Sequence, residues 1–247
     1  MPKCKNILKL CCAALIVVLQ SCATMYIPPV KNSPLFVKKG EGQVQAGLTT
    51  NSFYALGSYA ITKDVAVAVS GSATYTNLFK KGLWDIADPY AQKYIEASVG
   101  KINLMPESSI IMEIFGGYGY GDAINSNAKF YKYAVVPRYK SYYHLGFVQF
   151  DVGRRWSFME VGGAFRFAVS NVHFNYSDKV TNENINCTFN NFHFEPNVFV
   201  AAGKGKVRPI FRWGFGLSRH FSQPIEIANK EYFKFTFHLS IGASFRF

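Results

Sequence analysis

The sequence predicts an all-β fold, an up-and-down antiparallel transmembrane β-barrel of about ten strands, and three observations predict it. The first is the alternation over 233–247, where Phe233, Phe235, Phe237, Leu239, Ile241, Ala243, Phe245 and Phe247 are apolar and Lys234, Thr236, His238, Ser240, Gly242, Ser244 and Arg246 fall between them. A period of two over that length makes a strand with two unlike faces, which helix geometry cannot produce. It is also longer than the about five or six residues of a soluble strand and suits a tilted membrane strand of about nine to eleven. The second observation is composition: 49% of the 247 residues are hydrophobic and only 17% charged, and 23 Phe and 15 Tyr are spread among polar residues. That is more aromatic surface than one water-soluble core of this size holds, so the exterior is expected to be apolar. The third is that tight and long connections take turns along the chain, as they do in transmembrane barrels.

Residues 1–21 read as an export signal, with Lys3, Lys5 and Lys9 ahead of the apolar stretch 10–19, which is too short to span a bilayer. Leu19-Gln20-Ser21-Cys22 resembles a bacterial lipobox. The resemblance implies cleavage before Cys22, acylation of that cysteine, and, with Ala23 rather than an acid after it, passage to the outer membrane. Cys4, Cys11 and Cys12 would be discarded, leaving Cys187 as the sole thiol and no disulfide within one mature chain. Residues 22–41 hold Pro28, Pro29 and Pro34 without periodicity and are expected to be a periplasmic linker. The barrel is then residues 42–247.

Within it, alternation places strands at 43–49, 53–62, 65–76, 94–104, 109–121, 142–154, 158–170, 192–203, 207–219 and 233–247. Connections at 62–64, 105–107, 155–157 and 204–206 are tight, whereas 77–93, 122–141, 171–191 and 220–231 are long. Short turns inside, long loops outside and an even strand number would put both ends of the chain in the periplasm. A terminal Phe247 closing an alternating strand looks like the signature read by the outer-membrane assembly machinery. Together these features resemble the small outer-membrane β-barrels of Gram-negative bacteria, here carrying a lipobox, and that resemblance implies integral outer-membrane localisation with an N-terminal lipid anchor. A soluble lipocalin-like barrel would need a Lys- and Glu-rich outer face. The polar face here is small and sparsely charged, as in Ala66, Ala68, Ser70, Ser72 and Thr74, and fits a lumen.

That assignment sends Glu96, Glu113, Asp151, Glu160 and Glu195 into the lumen with Arg166, Arg208, Arg212, Lys234 and Arg246. Balanced charges in a narrow barrel suggest a paired plug, since an ion-selective channel would want rings of one sign. Removing three lysines with the signal lowers the net charge from +12 to +9. Part of the excess falls on Lys129, Lys132, Arg138 and Lys140, which are candidate contacts for lipid phosphates, including those of lipopolysaccharide. Nucleic acid is a poor partner for an exported chain whose charge forms no single patch.

Motifs add little. Asn186-Cys187-Thr188 is a chance glycosylation match, no cofactor fingerprint is present, and no Cys or His spacing suits a metal. The run Gly116-Gly117-Tyr118-Gly119-Tyr120-Gly121 has no helix after it and reads as curvature and close packing. One constellation is suggestive: His193 and Glu195 on the lumen face, with Arg212 expected beside Glu195 and His238 near Arg212. A histidine and a carboxylate are what a barrel hydrolase would use. With no serine or aspartate completing a triad, the four are expected to be a structural lumen network, and no residue is assigned as catalytic. The expected role is a non-enzymatic outer-membrane lipoprotein, structural or interacting with other envelope proteins. The alternatives are a narrow solute pore and a lipid-modifying or proteolytic barrel enzyme.

Overall fold

The structure is a computed structural model that describes residues 29–50, 52–74, 90–105, 109–125, 129–130, 134–135, 138–177, 184–220 and 236–247. Ten strands close a barrel: β1 (Gly42–Thr49), β2 (Ser52–Ala60), β3 (Val65–Thr74), β4 (Tyr90–Met105), β5 (Ile110–Asn125), β8 (Arg138–Arg155), β9 (Met159–Ser177), β10 (Asn184–Ala202), β11 (Val207–His220) and β12 (Thr236–Arg246). Between β5 and β8, the two-residue pieces β6 (Lys129–Phe130) and β7 (Ala134–Val135) form a separate small sheet. Barrel strands pair antiparallel with their neighbours, and β1 pairs with β12, so no edge is left open. At that closing seam Gly47 faces Gly242, and the hydroxyl of Tyr54 covers both. A Cβ would stand 2.2 Å from the Ile241 carbonyl oxygen at Gly47 and 2.4 Å from the Ala46 carbonyl oxygen at Gly242, so a larger side chain would force the two backbones apart as well as displace the tyrosine.

Alternation sorts the two faces. On β8 the outward residues Val148, Phe150 and Val152 are exposed, while Leu145, Phe147, Gln149 and Asp151 between them are buried in the lumen. The same rule exposes Val67 and Val69, Phe165 and Phe167, and Phe211 and Trp213. Charged outward residues stand at the rims: Lys93, Asp122, Lys140 and Arg219 at one end, Lys101 and Arg154 at the other. From His144 to Arg154, at about 3.3 Å per residue and a tilt of about 40°, the apolar belt is about 25 Å high, the hydrocarbon thickness such barrels match. Aromatic rings mark its loop-side rim, where Tyr142 stacks on His173 with centroids 4.6 Å apart and Tyr118 hydrogen-bonds His144. The Gly-Tyr run of β5 is close packing as expected: Tyr118 and Tyr120 point out, while Phe147, Tyr94 and Tyr143 lie against Gly117, Gly119 and Gly121.

Three expectations need correction. The stretches 122–141 and 171–191 are largely strand, because β8, β9 and β10 run 18, 19 and 19 residues and keep pairing beyond the belt. There the alternation continues with its sense reversed: Val172, Phe174 and Phe189 are buried inward while Asn175, Thr188 and Asn190 are exposed outward, so a search for apolar residues on the outer face passes over the pairing. The connection between β1 and β2, at the loop end, is short. The largest correction concerns the stretch expected to be a linker. From Pro29 to Phe36 every residue is buried, and the segment runs down the inside of the barrel. Pro29 and Val30 line a small cavity with Thr49, Ser52, Thr74 and Gln92 at the loop end. Asn32 Nδ2 donates to the Gly57 carbonyl, and Gly40 N donates to the Ala60 carbonyl at the turn end. The chain then turns up into β1, and Gly42 exchanges backbone hydrogen bonds with Phe247. A Pro-rich stretch without periodicity is what an extended strand without sheet partners looks like, so the pattern was the same as a linker's.

Candidate functional site

The candidate site is the lumen, and its contents follow from which inward side chains each strand contributes. At the turn end, Glu41 accepts from Arg155 Nη1 at 2.7 Å and Arg246 Nη1 at 3.1 Å, and Glu160 accepts from Arg208 Nη1 at 3.0 Å and Arg246 Nη2 at 2.9 Å. Two carboxylates and three guanidinium groups thus close that mouth. Above them is an apolar layer in which Leu35 and Phe36 of the inner segment pack with Ala66, Ile102, Ile111 and Phe199. Leu35 takes a φ of +51°, in the left-handed region. That conformation, costly for a residue with a Cβ, aims two successive N–H groups one way. Both reach Glu113, at 3.0 Å from Leu35 and 2.8 Å from Phe36.

The middle layer is polar. Lys31 pairs with Glu195 at 2.8 Å, with both side chains fully buried. Ser33 Oγ donates to Asp151 at 2.9 Å, and Gln149 Nε2 donates to the Asn32 carbonyl at 2.8 Å. Arg166 forms a two-pronged pair with Glu96, at 2.7 and 2.9 Å, and lies 4.0 Å over the Phe147 ring. Toward the loop end, Tyr94, Tyr143, Phe174 and Phe189 make an aromatic layer. Layers of opposite character held by one continuous segment leave that segment nowhere to slide, because a shift of one residue would put Lys31 among apolar groups.

The expected network is present only in part. Glu195 and His193 do face the lumen, but Glu195 is held by Lys31 rather than by Arg212. The register explains this: Arg212 stands opposite Phe199 and lies 5.3 Å over its ring, four residues from Glu195 along β10. The expectation paired the strands as if Glu195 were nearer the tight turn than it is. Among the described residues no carboxylate lies within ion-pair distance of Arg212, although Tyr54, Asp151 and Glu160 act on its charge. His238 stands opposite Gly214, buried, with no hydrogen bond to either ring nitrogen among the described residues. His193 instead bridges two serines, with Nε2 2.7 Å from Ser170 Oγ and Nδ1 2.7 Å from Ser218 Oγ. That arrangement ties β9, β10 and β11 together, and both Ser170 and His193 are out of reach of solvent. Among the described residues no three metal-ligating side chains form a cluster.

Lys31, Glu41 and Arg155 belong to the lumen charge set that the sequence had left outside it, while Lys234 lies outside the described residues. The signal for Lys31 was Leu35-Phe36-Val37 just after it, three bulky apolar residues that a solvated linker has no use for. Of the candidate phosphate contacts, Lys140 is exposed on β8, Lys129 falls in β6, and Arg138 opens β8 opposite Ser177. Lys132 and Cys22 lie outside the described residues.

The turn-end cluster makes a pH prediction. Burial alone would push the Glu41 carboxyl up, but the N–H of Val37 and the charges of Arg155 and Arg246 outweigh it and hold the group below its usual range. A carboxyl lowered by folding stabilises fully above its unfolded value, about 4.3, and loses that contribution as pH falls through the lower folded value. Acid titration of the folded barrel, followed by heat-modified gel mobility, should therefore show a loss of stability below about pH 4 that is smaller in Glu41→Gln. An identical acid profile in the variant would remove Glu41 from the account.

No family model and no curated protein matches the chain. Solved structures that resemble it include a major outer membrane protein from Thermus thermophilus, at 9% identity over 84% of this chain and 99% of that one, with a TM-score of 0.38. The translocator domain of the autotransporter NalP from Neisseria meningitidis has 9% identity over 84% and 87%, also at 0.38. The N-terminal β-barrel domain of Pseudomonas aeruginosa OprF has 11% identity over 85% and 98%, at 0.20. At such identities and scores the likeness adds nothing to the strand pairing and belt on which the architecture rests.

Proposed function

We propose that this chain is an outer-membrane β-barrel lipoprotein, acylated at Cys22, whose role is structural or interactive rather than enzymatic. The observation that carries the reading is a closed barrel, apolar outside, whose lumen is filled by its own chain from Pro29 to Phe36. A closed barrel is the one β architecture that leaves no backbone group unpaired in hydrocarbon, and the belt has a membrane's height. The sealed lumen argues against a solute pore. The burial of His193, Glu195, Arg212 and His238 argues against a lumenal enzyme, since a substrate would have no way to reach them. What remains available to partners is the loop end, with Lys140 and the paired extensions of β8, β9 and β10, where lipid phosphates and other envelope proteins are the candidate contacts. Purified protein in a planar bilayer should pass no steady current. A stable current of porin size would overturn the sealed-barrel reading.

A further inference from the structure

The path of the inner segment fixes more than the seal. Residue by residue it descends the wall: Val30 packs with Tyr54 and Leu56, Asn32 meets Gly57, and Gly40 meets Ala60 along β2. Along β8 the order is the same, with Asn32 at Gln149, Ser33 at Asp151 and Leu35 at Arg155. Two strands independently give one direction, from the loop end at Pro29 to the turn end at Gly40. Phe247 is also at the turn end, bonded to Gly42. Ten strands and one threaded segment make an odd number of crossings, so the chain enters and leaves on opposite faces of the membrane.

We infer that the chain before Pro29, and with it Cys22, lies on the loop side, so that the lipid on Cys22 is seated in the outer leaflet at the cell surface. This rests on the proposed function for the acylation and for which face is outside. Six residues lie between Cys22 and Pro29, and the Cα-to-Cα steps between them give a reach of about 25 Å at full extension. That is enough to reach the leaflet beside the loop-side aromatic rim. It does not allow a return to the turn side, because the lumen is occupied and an unpaired chain along the outer wall would bury its peptide groups in hydrocarbon. The partner of this anchor is therefore the lipid of the leaflet that faces the medium.

The test is side-specific labelling in full-length protein made in cells, with Cys187→Ser as background. Met25→Cys reports the segment before Pro29, Lys140→Cys the loop end and Lys204→Cys the turn end, each with a bulky impermeant maleimide before and after outer-membrane permeabilisation. Heat-modified mobility confirms that each variant is folded. Met25→Cys should label on intact cells as fully as Lys140→Cys, while Lys204→Cys labels only after permeabilisation. If Met25→Cys behaves like Lys204→Cys, threading is overturned. If Met25→Cys tracks Lys140→Cys but both are protected, threading holds and the surface placement fails with the proposed orientation. Incorporation of labelled palmitate that is lost in Cys22→Ser supports the lipid, and its absence in the parent overturns the outer-leaflet anchor while leaving the threaded path.

Discussion

Lys31→Met should destabilise the folded barrel by about 3 to 5 kcal/mol, the range for breaking a buried ion pair by removing one partner. The ammonium sits 2.8 Å from Glu195 with neither side chain reached by solvent, so the variant leaves a carboxylate uncompensated in a confined space. Glu195→Gln alone should be costly for the mirror reason, a stranded ammonium. The decisive variant is the pair, Lys31→Met with Glu195→Gln, which removes both charges and should cost less than either change alone, a non-additivity expected only of residues in contact. Arg212 is the control: opposite Phe199 rather than Glu195, it should show additive behaviour with Glu195→Gln. Urea unfolding in detergent, read by gel mobility, gives the value for each single and double variant. Additivity between Lys31 and Glu195 would mean that the inner segment is not held by this pair.

The barrel was legible because its strands have two unlike environments, lipid and lumen, and alternation reports such a contrast wherever it exists. It was clearest in β12 and β11, where Phe, Leu and Trp alternate with Arg, His and Ser, and was missed in β9 and β10 above the rim, where its sense reverses and Phe174 and Phe189 face inward while Asn175 and Asn190 face out. The lumen charges were legible as a set for the same reason. Their partners were not, because partnership depends on register, and register follows from turn geometry that composition does not specify. Arg212 was assigned to Glu195 by proximity in sequence to the turn, and the true partner came from Lys31, 164 positions away, on a segment with no period at all. An extended chain that pairs by side-chain and single backbone contacts leaves no repeating mark. Its one readable trait was the apolar cluster Leu35-Phe36-Val37, misplaced for a solvated linker.

A chain that lacks the inner segment, starting at Lys39 and refolded in detergent, should still form the barrel and should conduct. All ten strands and the β1–β12 closure lie outside the deleted stretch, and Glu41 with its arginine partners is retained, so the ladder that defines the fold is untouched. Side chains just fill a barrel of about eight strands, and two more strands widen the lumen by roughly the space that one extended chain takes up. Without that chain, Glu113, Asp151 and Glu195 lose the groups they bind, but water would enter and hydrate them, which makes removal of the whole segment less damaging per contact than a point change that leaves the seal dry. The open lumen would keep Glu41, Glu96, Glu113, Asp151, Glu160 and Glu195 against Arg155, Arg166, Arg208, Arg212 and Arg246 while losing Lys31, which leaves one carboxylate in excess among the described residues and should give a weak preference for cations. A full-length variant carrying Leu35→Ser and Phe36→Ser weakens the apolar layer without removing the segment, and it should show brief, intermittent openings rather than a steady current. A truncated chain that folds, as judged by heat-modified mobility, yet passes no current would mean that the strands' own side chains close the lumen and that the inner segment only lies within it.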